Sequence, residues 1–99
     1  MNMQAIMAKA QKMQKDITNK KEEIDKTIFE GKSEWVTVTF NGKRELQSFK
    51  ITTEGVIDED DKEILEDMIN IAIKDAFKKI DSETDAKLGS YSKSLNGLF

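Results

Sequence analysis

Four consecutive carboxylates are the first group in this sequence whose residue types could do chemistry. Clustered carboxylate oxygens are ligands that Ca²⁺ and Mg²⁺ prefer. A calcium loop, however, arranges its ligands around a sharp glycine turn as Asp-x-Asp-x-Asp-Gly, and that pattern is missing here. Acids directly ahead of an apolar helical pattern instead predict a helix start, where they cap free amides and oppose the helix dipole. We therefore expect a helix cap and no metal site at these residues, Asp58, Glu59, Asp60 and Asp61.

The residue types that most often carry catalysis are either absent from this sequence or do not occur in a catalytic spacing. The 99 residues include no histidine and no cysteine, which removes the commonest general base and all thiolate chemistry. The glycines at positions 31, 42 and 55 are isolated turn residues, so there is no glycine-rich phosphate loop. No spacing singles out a nucleophile or builds a pocket for paired carboxylates. We expect no enzyme, and hence no catalytic residue, no cofactor and no small-molecule substrate.

Lysines on the first predicted helix form the remaining candidate site. On a helical wheel Lys9, Lys12 and Lys15 occupy the contiguous heptad positions g, c and f, and Lys20 lies at the edge of this basic arc. Such an arc can meet phosphates without reading bases. No aromatic residue is interleaved, which argues against stacking on single strands. Two interpretations stay open on spacing alone: contact with DNA, or the solvated flank of a coiled coil.

Charge is divided unevenly along the chain. Residues 1–21 carry five lysines against one aspartate, a net charge of +4, whereas the whole chain carries -3. The remainder therefore sums to -7. A basic end on an acidic body hints at a polyanionic partner, and a solvated helix face explains the same charges.

The helix that carries the basic arc is predicted from Met3 to about Lys26. This stretch has no glycine or proline, and its apolar residues repeat in the a/d pattern of a coiled coil, with Lys20 taking one d position. This apolar seam consists of Met3, Ile6, Ala10, Met13, Ile17 and Ile24. A seam this narrow suits a helix that touches one partner along a line, so we expect its first part to project.

A β-sheet is predicted between two helical regions. Val36, Val38 and Phe40 alternate with threonines in the period-two pattern of a strand. A short first strand is expected around Ile28 and Phe29, followed by a turn at Gly-Lys-Ser. A third strand completes an antiparallel sheet.

The turn after Phe40 decides which residues of the third strand face the core. Asn-Gly predicts a tight two-residue turn that pairs Phe40 with Lys43. This register puts Phe49 and Ile51 on the valine face and leaves Leu46 on the threonine face. A three-residue loop does the reverse, and a bulge would reconcile the two. We choose the two-residue turn because it keeps more apolar area together.

The second helix is predicted from the acids at 58 to about Leu88, with Gly89 as its stop. A kink near Asp81 and Ser82 is an alternative that would divide it into two. Its apolar face is broad, which makes it the core helix. The chain is then one α+β domain, 1–99, with a projecting helix at 1–27, a sheet at 28–53, a helix at 58–88 and a mobile tail at 89–99.

The face of the sheet turned away from the second helix is predicted to form a homodimer. A tryptophan beside a leucine on an exposed face is typical of an interface. The expected interface residues are Trp35, Thr37, Thr39 and Leu46. No apolar run approaches the ~20 residues of a membrane span, and the N-terminus lacks a signal peptide's apolar block. We expect a cytoplasmic protein with no membrane partner.

Taken together, these segments resemble the YbaB/EbfC family of small bacterial nucleoid-associated DNA-binding proteins. The stretch Ile-Met-Ala-Lys-Ala-Gln-Lys-Met-Gln (6–14) resembles the family's methionine- and glutamine-rich first helix. Trp-Val-Thr-Val-Thr-Phe-Asn-Gly (35–42) resembles its valine-rich strand. Asp-Asp-Lys-Glu-Ile-Leu-Glu-Asp-Met-Ile (60–69) and Ala-Ile-Lys-Asp-Ala (72–76) resemble its second helix, which is the most specific stretch.

The resemblance implies a helix, three strands and two further helices, assembled as a tweezer-like homodimer. It implies binding of double-stranded DNA through helical parts near both chain ends, with little sequence preference, and a place in the nucleoid. The basic positions that it implies are Lys9, Lys12, Lys15, Lys20 and Lys21 in the first helix and Lys78, Lys79, Lys87 and Lys93 near the C-terminus. The alternative function is a dimeric scaffold whose first helix pairs with another protein's helix through Ile6, Met13 and Ile17.

Overall fold

A computed structural model describes residues 2–95 of the chain, with side chains to residue 91. Its elements are α1 Met3–Lys26, β1 Phe29–Lys32, β2 Val36–Phe40, β3 Leu46–Ile51 and α2 Lys62–Leu95, with a 3₁₀ turn at Glu59–Asp61 before α2. The strands form one antiparallel sheet in the order β1-β2-β3. The predicted α+β architecture, with a helix at each end of a three-stranded sheet, is confirmed. Neither helix of the described part combines the length and apolar character that crossing a bilayer requires.

The core lies between α2 and the first two strands. Val36 and Val38 are fully buried and contribute the branched side chains that suit a covered sheet face. Small and branched residues of α2 cover them, and the C-terminal end of α1 closes one side. The buried core residues are Ile24, Phe29, Val36, Val38, Phe40, Ala72, Ala76 and Ile80. Ile24 is the one buried residue of α1, so the C-terminal end of that helix is the part that enters the core.

A glycine in β1 determines how closely α2 packs on the sheet. A Cβ atom added at Gly31 would lie 2.6 Å from the amide nitrogen of Ala76 and 2.7 Å from its Cβ. The backbone carbonyl oxygen of Ala72 would be closer still. No side chain fits at this distance, so Gly31 and the two alanines let the helix backbone rest directly on the strand.

The outer edge of β1 is covered by two side chains of α2. The backbone N–H of Lys32 donates to the Asp75 carboxylate at 3.0 Å, and the Lys79 ammonium donates to the Glu30 carbonyl oxygen at 2.7 Å. The bond from the Lys32 amide, aided by nearby Lys79, lowers the pKa of Asp75. This carboxylate therefore stabilises the fold above the ordinary pKa of aspartate, and the contribution is lost as the pH falls through the lowered value. β3 is left as the other edge of the sheet.

The β2–β3 hairpin differs from the predicted two-residue turn. Phe40 pairs with Leu46, not with Lys43, and a register shift beside Thr39 pairs Val38 with Phe49. This bulge is the feature that reconciles the two candidate registers. It places Leu46 on the valine face, so the prediction that it lies on the threonine face is wrong.

The Asn-Gly dipeptide has a different role from the one predicted. The residue with positive φ in this loop is Arg44, at 65°. Gly42 instead packs against the end of α1, where its N–H donates to the Asp25 carbonyl oxygen at 3.3 Å and an added Cβ would lie 2.9 Å from the Asp25 Cα. The loop is widened because it must accommodate this helix end.

Two predicted boundaries are also corrected. β1 continues through Gly31 and Lys32, where a turn was predicted, because the close packing of α2 keeps this segment extended. α2 runs unbroken to Leu95, so Gly89 does not stop it and it is not divided near Asp81. Packing against α1 stabilises this last part of the helix, and tertiary contact outweighs the low helix propensity of glycine. The predicted mobile tail is therefore helical to residue 95, and the rest of it lies outside the described residues.

Two of the four consecutive acids, Asp58 and Asp61, cap the 3₁₀ turn that leads into α2, which confirms the structural interpretation of that cluster. The Asp58 carboxylate accepts the N–H of Asp60 at 2.9 Å, and the Asp61 carboxylate accepts the N–H of Asp58 at 3.1 Å. This reciprocal pair is a capping box, which satisfies amides that have no partner inside the helix.

We predict that Gly31→Ala strongly destabilises the protein. The new methyl group has to displace backbone atoms of α2, and overpacking of this kind costs roughly 1–3 kcal/mol or more. The matched control is Gly89→Ala, where an added Cβ meets nothing within 4 Å; there the loss of a helical glycine should stabilise by about 0.5–1 kcal/mol. Urea unfolding of both variants measures the difference, and equal midpoints would contradict the close packing.

Candidate nucleic-acid interface

The N-terminal half of α1 projects from the body of the protein. Contacts between Lys20 and Tyr91 and between Glu23 and Lys87 show that α1 runs antiparallel to the end of α2. Seventeen residues of α1 precede Lys20, about 25 Å of helix, whereas α2 is described for four residues past Tyr91, about 6 Å. The described chain accordingly measures 70 × 21 × 15 Å. We call residues 3–15, which extend past the described end of α2, the α1 arm.

The α1 arm carries the basic arc without any neutralising partner. Lys9, Lys12 and Lys15 are exposed, and none forms an ion pair with another described residue. The arm contains no acidic residue, so its three positive charges are available to an external anion. The carboxyl group nearest in sequence, Asp16, follows directly after the arm.

The apolar seam of the arm is exposed as well. Met3 and Ile6 of the seam have 69% and 44% of their surface accessible, and Met7 beside the seam has 56%, while Met13 and Ile17 nearer the body are half-buried. The a/d seam is therefore covered only where α1 approaches α2. The arm thus presents an apolar stripe and a row of lysines side by side.

Two lysine side chains connect α1 to the end of α2, and we call these two contacts, Lys20 with Tyr91 and Lys87 with Glu23, the clasp. The Lys20 ammonium donates to the Tyr91 hydroxyl at 3.2 Å and lies 4.8 Å from the centre of its ring. One turn nearer the body, the Lys87 ammonium donates to the Glu23 carboxylate at 3.1 Å and also pairs with Glu83. The bond to Glu23, with the charge of both carboxylates, raises the pKa of Lys87. Both lysines of the clasp are already engaged within the chain.

The remaining predicted DNA-binding lysines divide into free and engaged groups. Lys21 and Lys78 are exposed and have no ion pair among the described residues. Lys79 is engaged with Asp75 and the β1 edge. The side chain of Lys93 lies outside the described residues. The structure thus brings Lys9, Lys12 and Lys15 together on one arm and separates them from Lys78 on the body.

A cleft of about 550 Å³ lies between the end of α1 and the hairpin loop. It is lined by Glu22, Asp25 and Glu45 together with Lys26 and Lys43. Three carboxylates against two ammonium groups give the cleft no preference for phosphate, and the lining contains no nucleophile and base pair. Within the described residues, no group of acids is arranged to hold a metal ion.

Comparison with known proteins identifies the family to which the chain belongs. The model of the YbaB/EbfC DNA-binding family matches residues 1–95. The chain belongs to this family. This confirms the resemblance seen in the first helix, the valine-rich strand and the second helix.

Relatives within the YbaB/EbfC family align over nearly the whole chain. A nucleoid-associated protein from Lactococcus lactis subsp. cremoris is 46% identical over 96% of this chain and 97% of its own length. One from Enterococcus faecalis is 39% identical over 98% and 94%. The crystal structure of the uncharacterized protein HP0035 from Helicobacter pylori matches with a TM-score of 0.66 at 24% identity, covering 100% of this chain and 99% of that one. At that identity the likeness supports the fold alone.

Sequence reasoning named Lys20 and Lys87 as DNA-binding positions but missed their partners in the clasp, Tyr91 and Glu23. Glu23 and Lys87 are 64 positions apart and Lys20 and Tyr91 are 71 apart, so no local pattern connects them. The one available signal is that Tyr91 is the only tyrosine and follows the expected end of α2. An amphipathic ring there could have indicated that the helix continues to a packed partner.

We predict that Tyr91→Ala loosens α1 and that Tyr91→Phe does so much less. The alanine variant loses both the hydroxyl acceptor and the ring beneath Lys20, a cation–π contact of about 0.5–1 kcal/mol at an exposed site. Amide hydrogen exchange in residues 17–26 should therefore accelerate about two- to fivefold for alanine. Equal protection in all three proteins would show that α1 is held by its buried end alone.

Proposed function

We propose that the protein binds double-stranded DNA as a homodimer, chiefly through phosphate contacts made by the α1 arm. The observation that carries this proposal is the row of three exposed, unpaired lysines on a projecting helix of a DNA-binding family member. The relatives' names, nucleoid-associated protein, support the same class of function and a place in the nucleoid.

The spacing of the lysines suits the charge density of a duplex. Lys9 and Lys15 are six residues apart, about 9 Å along the helix axis. A duplex carries one negative charge per about 1.7 Å of its axis, so each lysine of the arm can find a separate phosphate. Neutral hydrogen-bond donors lie among them, namely Gln4, Gln11 and Gln14. The arm has no arginine, whose guanidinium fork reads guanine edges, and phosphate contacts by its lysines carry no sequence information, which favours binding with little sequence preference.

The other predicted lysines contribute to this proposal to different extents. Lys21 is the nearest free cation to the arm, and Lys78 is a free cation on the body, so both are secondary phosphate contacts in our proposal. Lys20, Lys79 and Lys87 each have partners within the chain. A phosphate would have to compete with those partners, which makes their net contribution smaller. Lys93 remains a candidate by sequence position alone.

The uncovered face of β3 is the surface that we propose for the homodimer. Leu46, Phe49 and Ile51 share the valine face through the strand register, yet 55%, 41% and 50% of their surface is accessible. They are uncovered because, in the described chain, α2 packs on β1 and β2 and not on β3. Burying three large apolar side chains on each copy supplies the apolar centre that a stable interface needs.

The interface predicted from the sequence is revised accordingly. Thr37 and Thr39 lie on the opposite face, which is polar and where the Thr39 and Ser48 hydroxyls form a 2.6 Å hydrogen bond. Trp35 is half-buried and packs against the core. Leu46 alone of the predicted set belongs to the proposed surface. With β3 as an uncovered edge, two copies can meet there around a two-fold axis.

A dimeric protein-interaction scaffold is the second candidate function. The exposed seam of the α1 arm, above all Ile6, favours it, since an a/d stripe is what a partner helix recognises. In that case the lysines would only flank the contact, and DNA affinity would not depend on them.

We predict that replacing Lys9, Lys12 and Lys15 by glutamate weakens DNA binding, and that duplexes of unrelated sequence lose affinity to a similar extent. The change takes the net charge of the arm from +3 to -3. Each lost phosphate contact should reduce the slope of log K against log salt by about 0.9. Gel-shift titration at several salt concentrations measures both quantities. The fold should survive because these positions are exposed and glutamate is a good helix former.

The matched control for this variant reverses Lys43, Lys50 and Lys62, three exposed lysines of the body that have no ion pair among the described residues. It should bind DNA much more nearly like the natural protein. Undiminished affinity in the arm variant, with its circular dichroism unchanged, would favour the scaffold. A loss confined to the control variant would move the DNA contact to the body.

We predict that Phe49→Glu shifts the dimer towards monomer, since a charge would be buried at the centre of the proposed interface. A hot-spot loss of at least 2 kcal/mol corresponds to an increase in the dissociation constant of about 30-fold or more. Light scattering after gel filtration reports the mass. Thr37→Glu on the polar face should leave the dimer intact, and the reverse pattern would restore the interface first predicted. A natural protein that stays monomeric at micromolar concentration would exclude the homodimer.

A further inference from the structure

A second exposed apolar surface lies on α2, separate from the uncovered face of β3. Ile64 and Ile71 are 43% and 50% exposed, and Met68 lies half-buried between them. Spacings of four and three put the three side chains on one face of the helix. The next position on that face is Asp75, which bonds to β1, so this α2 stripe faces outward beyond the β1 edge. Among the described residues, Met68 also packs against the core cluster, whereas Ile64 and Ile71 are left exposed.

Charge beside the α2 stripe is negative. Asp60, Glu63 and Asp67, again at spacings of three and four, form an exposed row along the stripe. Residues 58–67 hold seven acids against one lysine, a net charge of -6. The capping box involves Asp58 and Asp61, so the three acids of the row are not required for the helix start.

The α1 arm complements the α2 stripe both in its exposed apolar side chains and in the sign of its charge. It exposes a narrow apolar seam containing Met3 and Ile6, and its basic arc runs beside that seam. Helices with apolar seams pair when flanking charges have opposite sign, which also selects the partner. A +3 arm and an acidic stripe satisfy this condition, whereas two arms or two stripes would bring like charges together.

The arm and the stripe of one chain cannot meet. The contact between Lys20 and Tyr91 lies between them along the molecule. The arm tip is about 25 Å from this contact in one direction, and the start of α2 is about 44 Å from it in the other. These distances together match the 70 Å length of the described chain, so the two surfaces lie at opposite ends. Only another copy can bring them into contact.

We propose that the protein associates end to end, with the α1 arm of one copy docked on the α2 stripe of another. The contact joins two different surfaces, so it does not close on itself as a two-fold interface does. Combined with a dimer contact at β3, it produces extended assemblies. Because the arm's lysines would face the acidic row, duplex DNA competes for them, and binding to DNA releases the docked arm.

A charge-swap experiment tests this contact without any DNA. Sedimentation velocity of the natural protein at low salt should show particles that grow as the concentration rises from micromolar to millimolar. About 1 M salt shortens the Debye length to about 3 Å and should dissociate the end-to-end contact. The particle that remains at this salt concentration is called the salt-resistant particle. Two variants are compared, one with Lys9, Lys12 and Lys15 changed to glutamate and one with Asp60, Glu63 and Asp67 changed to lysine. Each alone should sediment as the salt-resistant particle, and an equimolar mixture should associate again.

Recovery in the mixture is the decisive result because opposite reversals restore the attraction only if these two rows face each other. The proposal is overturned if the natural protein never exceeds the salt-resistant particle, or if the mixture of folded variants fails to associate. It is also overturned if the acid-to-lysine variant associates like the natural protein, since the arm would then dock elsewhere. That variant should retain DNA binding, so failure of this proposal is distinguishable from failure of the DNA-binding proposal.

Discussion

The close contact of α2 with β1 is the constraint on which the rest of the molecule depends. With no side chain at Gly31, the helix backbone rests on the strand, and Ala72 and Ala76 complete the contact. A helix fixed so near β1 covers β1 and β2 and leaves β3 without a partner. The same helix brings Asp75 and Lys79 to the β1 edge, so one edge of the sheet is covered and the other is not. The absence of a side chain at Gly31 therefore helps to determine that the β1 edge is covered and that β3 is exposed.

The distribution of charge follows from which lysines the fold neutralises. Lys79 and Lys87 lie where α2 meets the sheet and α1, and each has a carboxylate within reach. The α1 arm extends past every described acid of the body, so its lysines keep their full charge. In a duplex field, unpaired ammonium groups contribute more than groups that must first leave a partner. The projecting shape therefore places three unpaired positive charges at one end of the described chain.

The hairpin shows how a correct pattern can lead to a wrong face. Alternation identified β2 and its buried valines, and Asn-Gly identified the loop, because both signals are local. The loop's length was decided by the end of α1, which packs on Gly42 and receives its hydrogen bond. The resulting bulge turned Leu46 to the apolar side. The exposed apolar side chains of the hairpin consequently lie on the valine face of β3, not on the threonine face.

The sequence by itself determined the properties that depend on residues close together in the chain. These are the extent of α1, the acidic cap of α2, the valine strand, the α+β architecture, the basic arc and the family. Only the tertiary structure decided that α2 continues past Gly89, that Leu46 faces the core side and that Lys20 and Lys87 are engaged while Lys9 is free. The physical reason is that each of these outcomes rests on contacts between residues tens of positions apart. Such contacts can outweigh a local preference of about 1 kcal/mol, such as that of glycine against helix.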